Sequence, residues 1–132
     1  PQDLTTARVF SEPPMNVAEV TKTGNQFSLD GAINWHAMGK FQSLPDGRYT
    51  FGIRPHHVTP AKQSSEAIRV NGTVKVAELS GSESIIHFDM LGNAWVSLTA
   101  GIHPYSAGQK AELYMDVAQG FYFASDGKLI GM

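Results

Sequence analysis

The chain has 132 residues, 42% of them hydrophobic, with ten basic and twelve acidic side chains and no cysteine. This length suits one domain that buries roughly 68% of the surface of its unfolded chain. The formal charge of −2 offers no general attraction for phosphate backbones or anionic membranes, so nucleic acid is not an expected partner. The lack of cysteine excludes disulfides and thiolate metal sites, and no apolar run approaches the ~18 residues of a membrane span.

Residues 1–16 are predicted to lead into the main domain, which would occupy residues 17–132. Leu4 to Phe10 are predicted to form a short helix capped by Asp3. Pro13-Pro14 would end this helix, because proline removes amide donors and favours extended geometry in its neighbours. The chain opens at Pro1 rather than at methionine and shows no signal peptide, so we expect it to be part of a longer protein.

Further along the chain, apolar residues alternate with polar ones, which indicates strands with one buried face. The predicted inward faces are Tyr49, Phe51 and Ile53; Ile68, Val70, Val74 and Val76; Ile86, Phe88 and Met90; Ala94, Val96 and Leu98; and Ala111, Leu113 and Met115. Tight turns are favoured between them by Gly24-Asn25, Asp30-Gly31, Pro45-Asp46-Gly47, Gly92-Asn93 and Asp126-Gly127. Short strands and tight turns predict an all-β barrel or sandwich. Pro60 to Ala67 are predicted to be a flexible link between a first sheet region and the later hairpins.

Four segments, in order, resemble one family. Phe10-Ser11-Glu12-Pro13-Pro14-Met15-Asn16 resembles the F-x-G-S-P-x-M-N segment that closes the nucleotide-binding domain in the ATP-binding subunits of bacterial sugar and glycerol-phosphate ABC importers. Phe51 to Val58 resembles G-[IV]-R-P-E-H-[ILV], with His56 in place of Glu. Val74 to His87 resembles V-x-V-v-E-x-L-G-s-E-t-x-v-H, and Phe121 to Lys128 resembles the closing h-x-L-F-d-x-x-T-G-[KR] stretch.

This resemblance implies the C-terminal regulatory domain of such a subunit, an OB-like antiparallel barrel of the TOBE type. It implies no catalytic residue, cofactor or metal in this chain, since ATP and magnesium would bind in a separate ATPase domain. The implied partners are a second copy of the domain, that ATPase domain, transmembrane permease subunits and a cytoplasmic regulatory protein. The implied location is the cytoplasmic face of the bacterial membrane. No G-x-x-x-x-G-K-[ST] phosphate-binding loop occurs in the sequence.

Several motifs have structural interpretations. Gly52-Ile53-Arg54-Pro55 is expected to shape a strand end, with Arg54 bracing neighbouring carbonyls or a carboxylate. Leu79-Ser80-Gly81-Ser82-Glu83 imitates the L-S-G-G-Q signature of ABC ATPases. That signature works at a helix N-terminus, whereas this one lies between strand patterns, so it is predicted to be a turn or bulge.

The five histidines are not spaced as metal ligands. His56 and His57 would point to opposite faces of an extended chain unless it kinks at Pro55, and His36, His87 and His103 lie in separate segments. Ser82, His87 and Asp89 contain the letters of a catalytic triad, but nothing in the sequence orients them. We therefore predict no enzymatic activity.

The aromatic residues leave a choice open. Trp35, Trp95, Tyr105, Tyr114 and Tyr122 could stack on bases or sugars in an OB-like barrel. Trp95, Tyr114 and Tyr122 fall on polar sides of strands or near an end, which leaves the exposure of these rings open. Burial or a subunit interface is favoured instead, because lysine and arginine do not cluster with these rings. An alternative function is the binding of a small oxyanion such as molybdate, through hydroxyls, backbone amides and a lysine.

Overall fold

The computed structural model describes residues 14–130. The predicted helix from Leu4 to Phe10, with its Asp3 cap, lies outside the described residues. Within residues 14–130, three short 3-10 turns occur at Gly39–Ser43, Pro55–His57 and Val117–Gln119. The strands are β1 (Asn16–Thr23), β2 (Gln26–Leu29), β3 (Ile33–His36), β4 (Gly47–Ile53), β5 (Val58–Thr59), β6 (Ala67–Ser80), β7 (Glu83–Met90), β8 (Asn93–Ala100), β9 (Lys110–Asp116), β10 (Phe121–Phe123) and β11 (Leu129–Ile130).

These strands form two antiparallel sheets. The six-stranded sheet has the order β11-β10-β4-β1-β2-β3, and the five-stranded sheet has the order β5-β9-β6-β7-β8. The two ends of the five-stranded sheet meet, because the Ser97 hydroxyl of β8 donates a hydrogen bond to the Val58 carbonyl of β5. This contact brings the sheet close to a closed barrel, so the prediction of an all-β antiparallel barrel is confirmed.

The alternating pattern is confirmed in three strands. In β4, β7 and β9 the predicted apolar residues face a core that contains side chains of both sheets. Phe51, Ile53, Ile86, Met90 and Leu113 are essentially inaccessible to solvent. Burial of such side chains contributes roughly 1.5–3 kcal/mol each, so these strands supply much of the driving force for folding.

The pattern prediction is wrong in two strands. A β-bulge in β6 shifts the pairing from Val74↔Phe88 to Val76↔His87, which turns Val76 outward and leaves it 46% exposed. In β8 the inward residues are Trp95 and Ser97, whereas Ala94, Val96 and Leu98 face outward. Trp95 pairs with the inward Phe88, so burial of one large ring sets the face of this strand.

Two other local predictions need correction. The turn between β7 and β8 is made by Leu91 and Gly92, with φ of 51° and 81°, and Asn93 already belongs to β8. Pro60 to Ala67 does not separate the sheets, because β5 and β6 lie in the same sheet and Ala67 begins β6. The chain instead passes from one sheet to the other between β4 and β5.

Candidate functional site

Met15, near the start of the described residues, packs against the domain. Met15 is 4% exposed and packs on Phe123, with Phe121 and Leu129 beside it. It also lies against Gly52 of β4, where a Cβ atom would come within 2.4 Å of the Met15 sulfur. A larger residue at position 52 would therefore displace the Met15 side chain, which gives the Gly52-Ile53-Arg54-Pro55 motif a packing role.

Asn16 joins the two sheets through its side-chain amide. Its Nδ2 donates to the Val96 carbonyl and its Oδ1 accepts from the Val96 amide, both at 2.8 Å. The amide thus pairs with the free edge of β8 as a neighbouring strand would. Nearby, Trp95 Nε1 donates to the Val17 carbonyl at 2.9 Å. These three bonds connect β1 of one sheet to β8 of the other, and we call them the Asn16 clip.

Arg54 and Pro55 shape the crossing between the sheets. Pro55 is buried and begins the 3-10 turn that ends β4. The Arg54 guanidinium lies 5.7 Å from the centre of the Phe121 ring, within range of a cation–π contact. Together these contacts support the structural interpretation of the motif.

The kink at Pro55 brings the rings of His56 and His57 to a centroid distance of 4.0 Å. Burial lowers the pKa of His57, and the neighbouring His56 and Arg54 lower it further against an opposing effect of Asp116. No group of three or more potential metal ligands occurs among residues 14–130.

Ser82, His87 and Asp89 do not form a catalytic triad. Ser82 lies in the turn between β6 and β7, and its carbonyl accepts a hydrogen bond from the Gly101 amide. His87 Nε2 lies 2.9 Å from a Glu78 carboxylate oxygen. Gly81 begins the turn with a φ of 63°, as a tight hairpin requires, and no helix starts there. The stretch that imitates the ABC signature is therefore a hairpin turn.

Two of the aromatic residues that fall on polar sides of strands or near an end are buried, as the sequence favoured. Trp95 and Tyr122 are 1% and 4% exposed. Trp35 is also buried and donates from Nε1 to the Tyr122 hydroxyl at 2.8 Å, while the Tyr122 ring stacks on Phe27 at 4.3 Å. Burial raises the pKa of Tyr122 to about 12. These rings build the core and are not available to stack on a base or a sugar, and Tyr105 and Tyr114 are partly buried.

Sequence reasoning missed a buried lysine. Lys22 is 2% exposed, and its ammonium donates to the carbonyls of Gly24, Gln42 and Leu44 at 2.5, 3.0 and 2.8 Å. This contact holds the loop between β3 and β4 over the end of β1. The alternation of inward and outward residues in β1 could have identified it, because Lys22 continues the inward positions of Ala18 and Val20.

One surface depression has the donors that an oxyanion site would need. It has a volume of about 180 Å³ and is lined by Asn71, Gly72, Thr73, Asp89, Leu91 and Lys110. Lys110 Nζ lies 3.1 Å from Thr73 Oγ1. The Asp89 carboxylate on the same wall repels an anion, so the charges here do not favour a dianion such as molybdate.

Fold and sequence together place the chain among OB-like modules. The structure resembles the cytoplasmic molybdate-binding protein ModG with a TM-score of 0.61 over 83% of this chain and 95% of that one, at 18% identity, which establishes the fold alone. The family model of the TOBE domain matches residues 51–123, more than half of the sequence. The chain therefore belongs to the TOBE domain family.

Its curated relatives are ATP-binding proteins of ABC transporters. It is 25% identical to the uncharacterized ABC transporter ATP-binding protein YcjV of Escherichia coli, over 98% of this chain and 37% of that protein. It is 26% identical to the multiple sugar-binding transport ATP-binding protein MsmK of Streptococcus mutans, over 96% and 36%. It is 28% identical to the xylose/arabinose import ATP-binding protein XacK of Haloferax volcanii, over 83% of this chain and 30% of that protein. The chain thus spans between 30% and 37% of the length of these relatives.

Within residues 14–130, the structure contains no helix of the length and apolar character that crossing a membrane requires.

Proposed function

We propose that this chain is the regulatory and dimerisation domain of the ATP-binding subunit of a carbohydrate or glycerol-phosphate ABC importer. The family assignment and the named sugar-import relatives support this proposal. The domain itself performs no chemistry. ATP and magnesium bind in an ATPase domain outside this chain, and the assembled complex works with permease subunits at the cytoplasmic face of the membrane.

The observation that carries the proposal is the junction at Met15 and Asn16. Met15 is wedged against Gly52, and the Asn16 amide bridges to Val96 in the other sheet. A force that reaches residue 14 would therefore act on both sheets at once. This is the connection that a domain needs if it is to respond to the opening and closing of an attached ATPase.

In the proposed mechanism, two copies of the domain stay in contact while their ATPase domains open and close. The free energy of that contact favours one of the two states, so a cytoplasmic protein or a metabolite that binds the domain shifts the balance and changes transport. Such a ligand acts only to the extent that it binds one state more tightly than the other.

A small-oxyanion binder is the second candidate, and the fold of ModG favours it. Titration calorimetry of the chain with molybdate, tungstate and phosphate separates the two functions. The regulatory function predicts no heat of specific binding. The depression with suitable donors also contains the Asp89 carboxylate beside Lys110, and this carboxylate disfavours an anion there. Saturable micromolar binding that is lost in Lys110→Ala would instead establish the oxyanion function.

A further inference from the structure

A depression lies between two of the 3-10 turns, Gly39–Ser43 and Val117–Gln119. It has a volume of about 330 Å³, at the lower end of the roughly 300–1,000 Å³ that is typical of small-molecule sites. It shares Phe41 and Ala118 with a second depression of about 170 Å³. We call the larger depression the Tyr122 pocket; its main lining residues are Met38, Lys40, Phe41, Val117, Ala118 and Tyr122.

Both walls of the Tyr122 pocket are anchored to the domain. Through its bonds to two loop carbonyls, Lys22 holds the loop that carries Lys40 and Phe41. On the other side, Gly120 follows the second turn and lies so close to the Phe51 ring that there is no room for a Cβ atom. The pocket is therefore formed before a ligand arrives, which reduces the conformational cost of binding.

The Tyr122 side chain brings one polar group to this largely apolar pocket. The residue is 4% exposed, and its ring lies 4.3 Å from the Phe27 ring and 4.7 Å from the Phe41 ring. Its hydroxyl oxygen accepts from Trp35 Nε1 at 2.8 Å, but the hydroxyl hydrogen has no acceptor among residues 14–130. Burial raises the pKa of Tyr122 to about 12, so the hydroxyl keeps its proton at neutral pH. One buried donor is therefore available to a ligand.

The second polar group is the Lys40 ammonium. It makes no hydrogen bond or ion pair with any of residues 14–130. Among the described residues that line the Tyr122 pocket, none carries a carboxylate, in contrast to the depression that contains Asp89 beside Lys110. Lys40 therefore attracts an anionic group without the repulsion that Asp89 causes in the other depression.

We propose that the Tyr122 pocket binds a small carboxylic acid with a compact apolar body, such as an aryl acetate. The apolar body packs on Met38 and Phe41. The carboxylate accepts hydrogen bonds from the Tyr122 hydroxyl and from the Lys40 ammonium, whereas a neutral ligand of the same shape lacks the charge that Lys40 attracts. This binding does not depend on the proposed regulatory function, so its failure would leave that function in place.

Titration of the ¹⁵N-labelled chain with phenylacetate at low salt tests the inference through the indole NMR signals of its two tryptophans. Trp35 Nε1 donates to the Tyr122 hydroxyl, and a carboxylate that accepts from this hydroxyl makes its oxygen a better acceptor. The Trp35 indole proton should therefore move downfield. Trp95 Nε1 donates to the Val17 carbonyl instead, so its signal should stay in place.

A ligand of about ten non-hydrogen atoms should saturate the shift with a dissociation constant of about 0.2–5 mM. Phenylacetamide has the same shape without the charge and should bind about three- to fivefold more weakly. Lys40→Met should weaken the binding of phenylacetate by a similar factor and remove its advantage over phenylacetamide. The matched control is Lys62→Met, which removes the same charge at an exposed residue outside the pocket and should bind like the parent chain.

Ala118→Phe tests the location of the site. Ala118 is exposed and lines the pocket, so a phenyl ring at this position should occupy the space and abolish binding, while circular dichroism checks that the variant is folded. A Trp35 signal that does not move at about 20 mM phenylacetate overturns the inference. Binding that Ala118→Phe leaves intact overturns the assignment to this pocket, and equal binding of phenylacetate and phenylacetamide overturns the assignment to a carboxylic acid.

Discussion

Replacement of Lys22 by methionine tests how the loop between β3 and β4 is held. Methionine keeps an unbranched apolar stem of similar length, so the substitution removes the ammonium without opening a large cavity. Three carbonyls then lose their donor, namely those of Gly24, Gln42 and Leu44. Each hydrogen bond to a charged group contributes about 1.5–3 kcal/mol.

The net cost is smaller than the sum of these three bonds. The folded protein no longer has to bury an ammonium, a penalty of several kcal/mol, and Gly24 and Gln42 are exposed residues whose carbonyls water can reach. We therefore expect the free energy of unfolding to fall by about 2–4 kcal/mol.

Urea unfolding followed by tryptophan fluorescence measures this change, with a lower midpoint and an unchanged slope as the expected result. The control is Lys40→Met, since Lys40 is exposed in the same loop and its loss should change stability by less than about 0.5 kcal/mol. A Lys22→Met protein as stable as the parent would refute the reasoning, because the three bonds to the ammonium would then contribute nothing net.

Two further substitutions test the sheet junction and the aromatic core. Asn16→Leu removes the side-chain pairing with Val96, so stability should fall by about 2–4 kcal/mol and the Val96 amide should exchange faster with deuterium; unchanged exchange would contradict the clip. Tyr122→Phe leaves Trp35 Nε1 without its acceptor and should cost about 1–3 kcal/mol. Because the pKa of Tyr122 is raised to about 12 from about 10, the parent should lose stability between those pH values as its unfolded state releases the proton first. A Tyr122→Phe protein with the same alkaline loss would show that another group causes it.

The all-β fold class could be predicted from the alternation of apolar and polar residues, but the inward faces of β8 and of the end of β6 could not. In β7 the inward Ile86, Phe88 and Met90 outnumber the outward Ile85, and in β9 Leu113 and Met115 share the inward face, so alternation favoured one face in each strand. In β8 both faces carry apolar residues, and burial of the Trp95 ring decides between them. The hydroxyl of Ser97 tolerates burial because it donates to Val58 across the barrel, a partner that sequence spacing does not reveal.

The junction at Asn16 and the outward position of Val76 depend on contacts between distant segments. Asn16 and Val96 are 80 residues apart in the sequence. The family resemblance could therefore single out Met15 and Asn16, but the role of these residues became visible only in the structure. The bulge that exposes Val76 has no mark in the sequence, since Val76 fits the alternation of β6 as well as Val74 does. Lys22 was overlooked for a related reason, because its three acceptors are supplied by a loop and a turn that the sequence does not place beside it.

The central claim is that this domain controls an ATPase to which it is covalently joined, and the DNA upstream of the codon for Pro1 tests it most directly. The account predicts an open reading frame that continues in phase and encodes a G-x-x-x-x-G-K-[ST] phosphate-binding loop. A start codon immediately before Pro1, or an in-phase stop codon with no such loop, would contradict it.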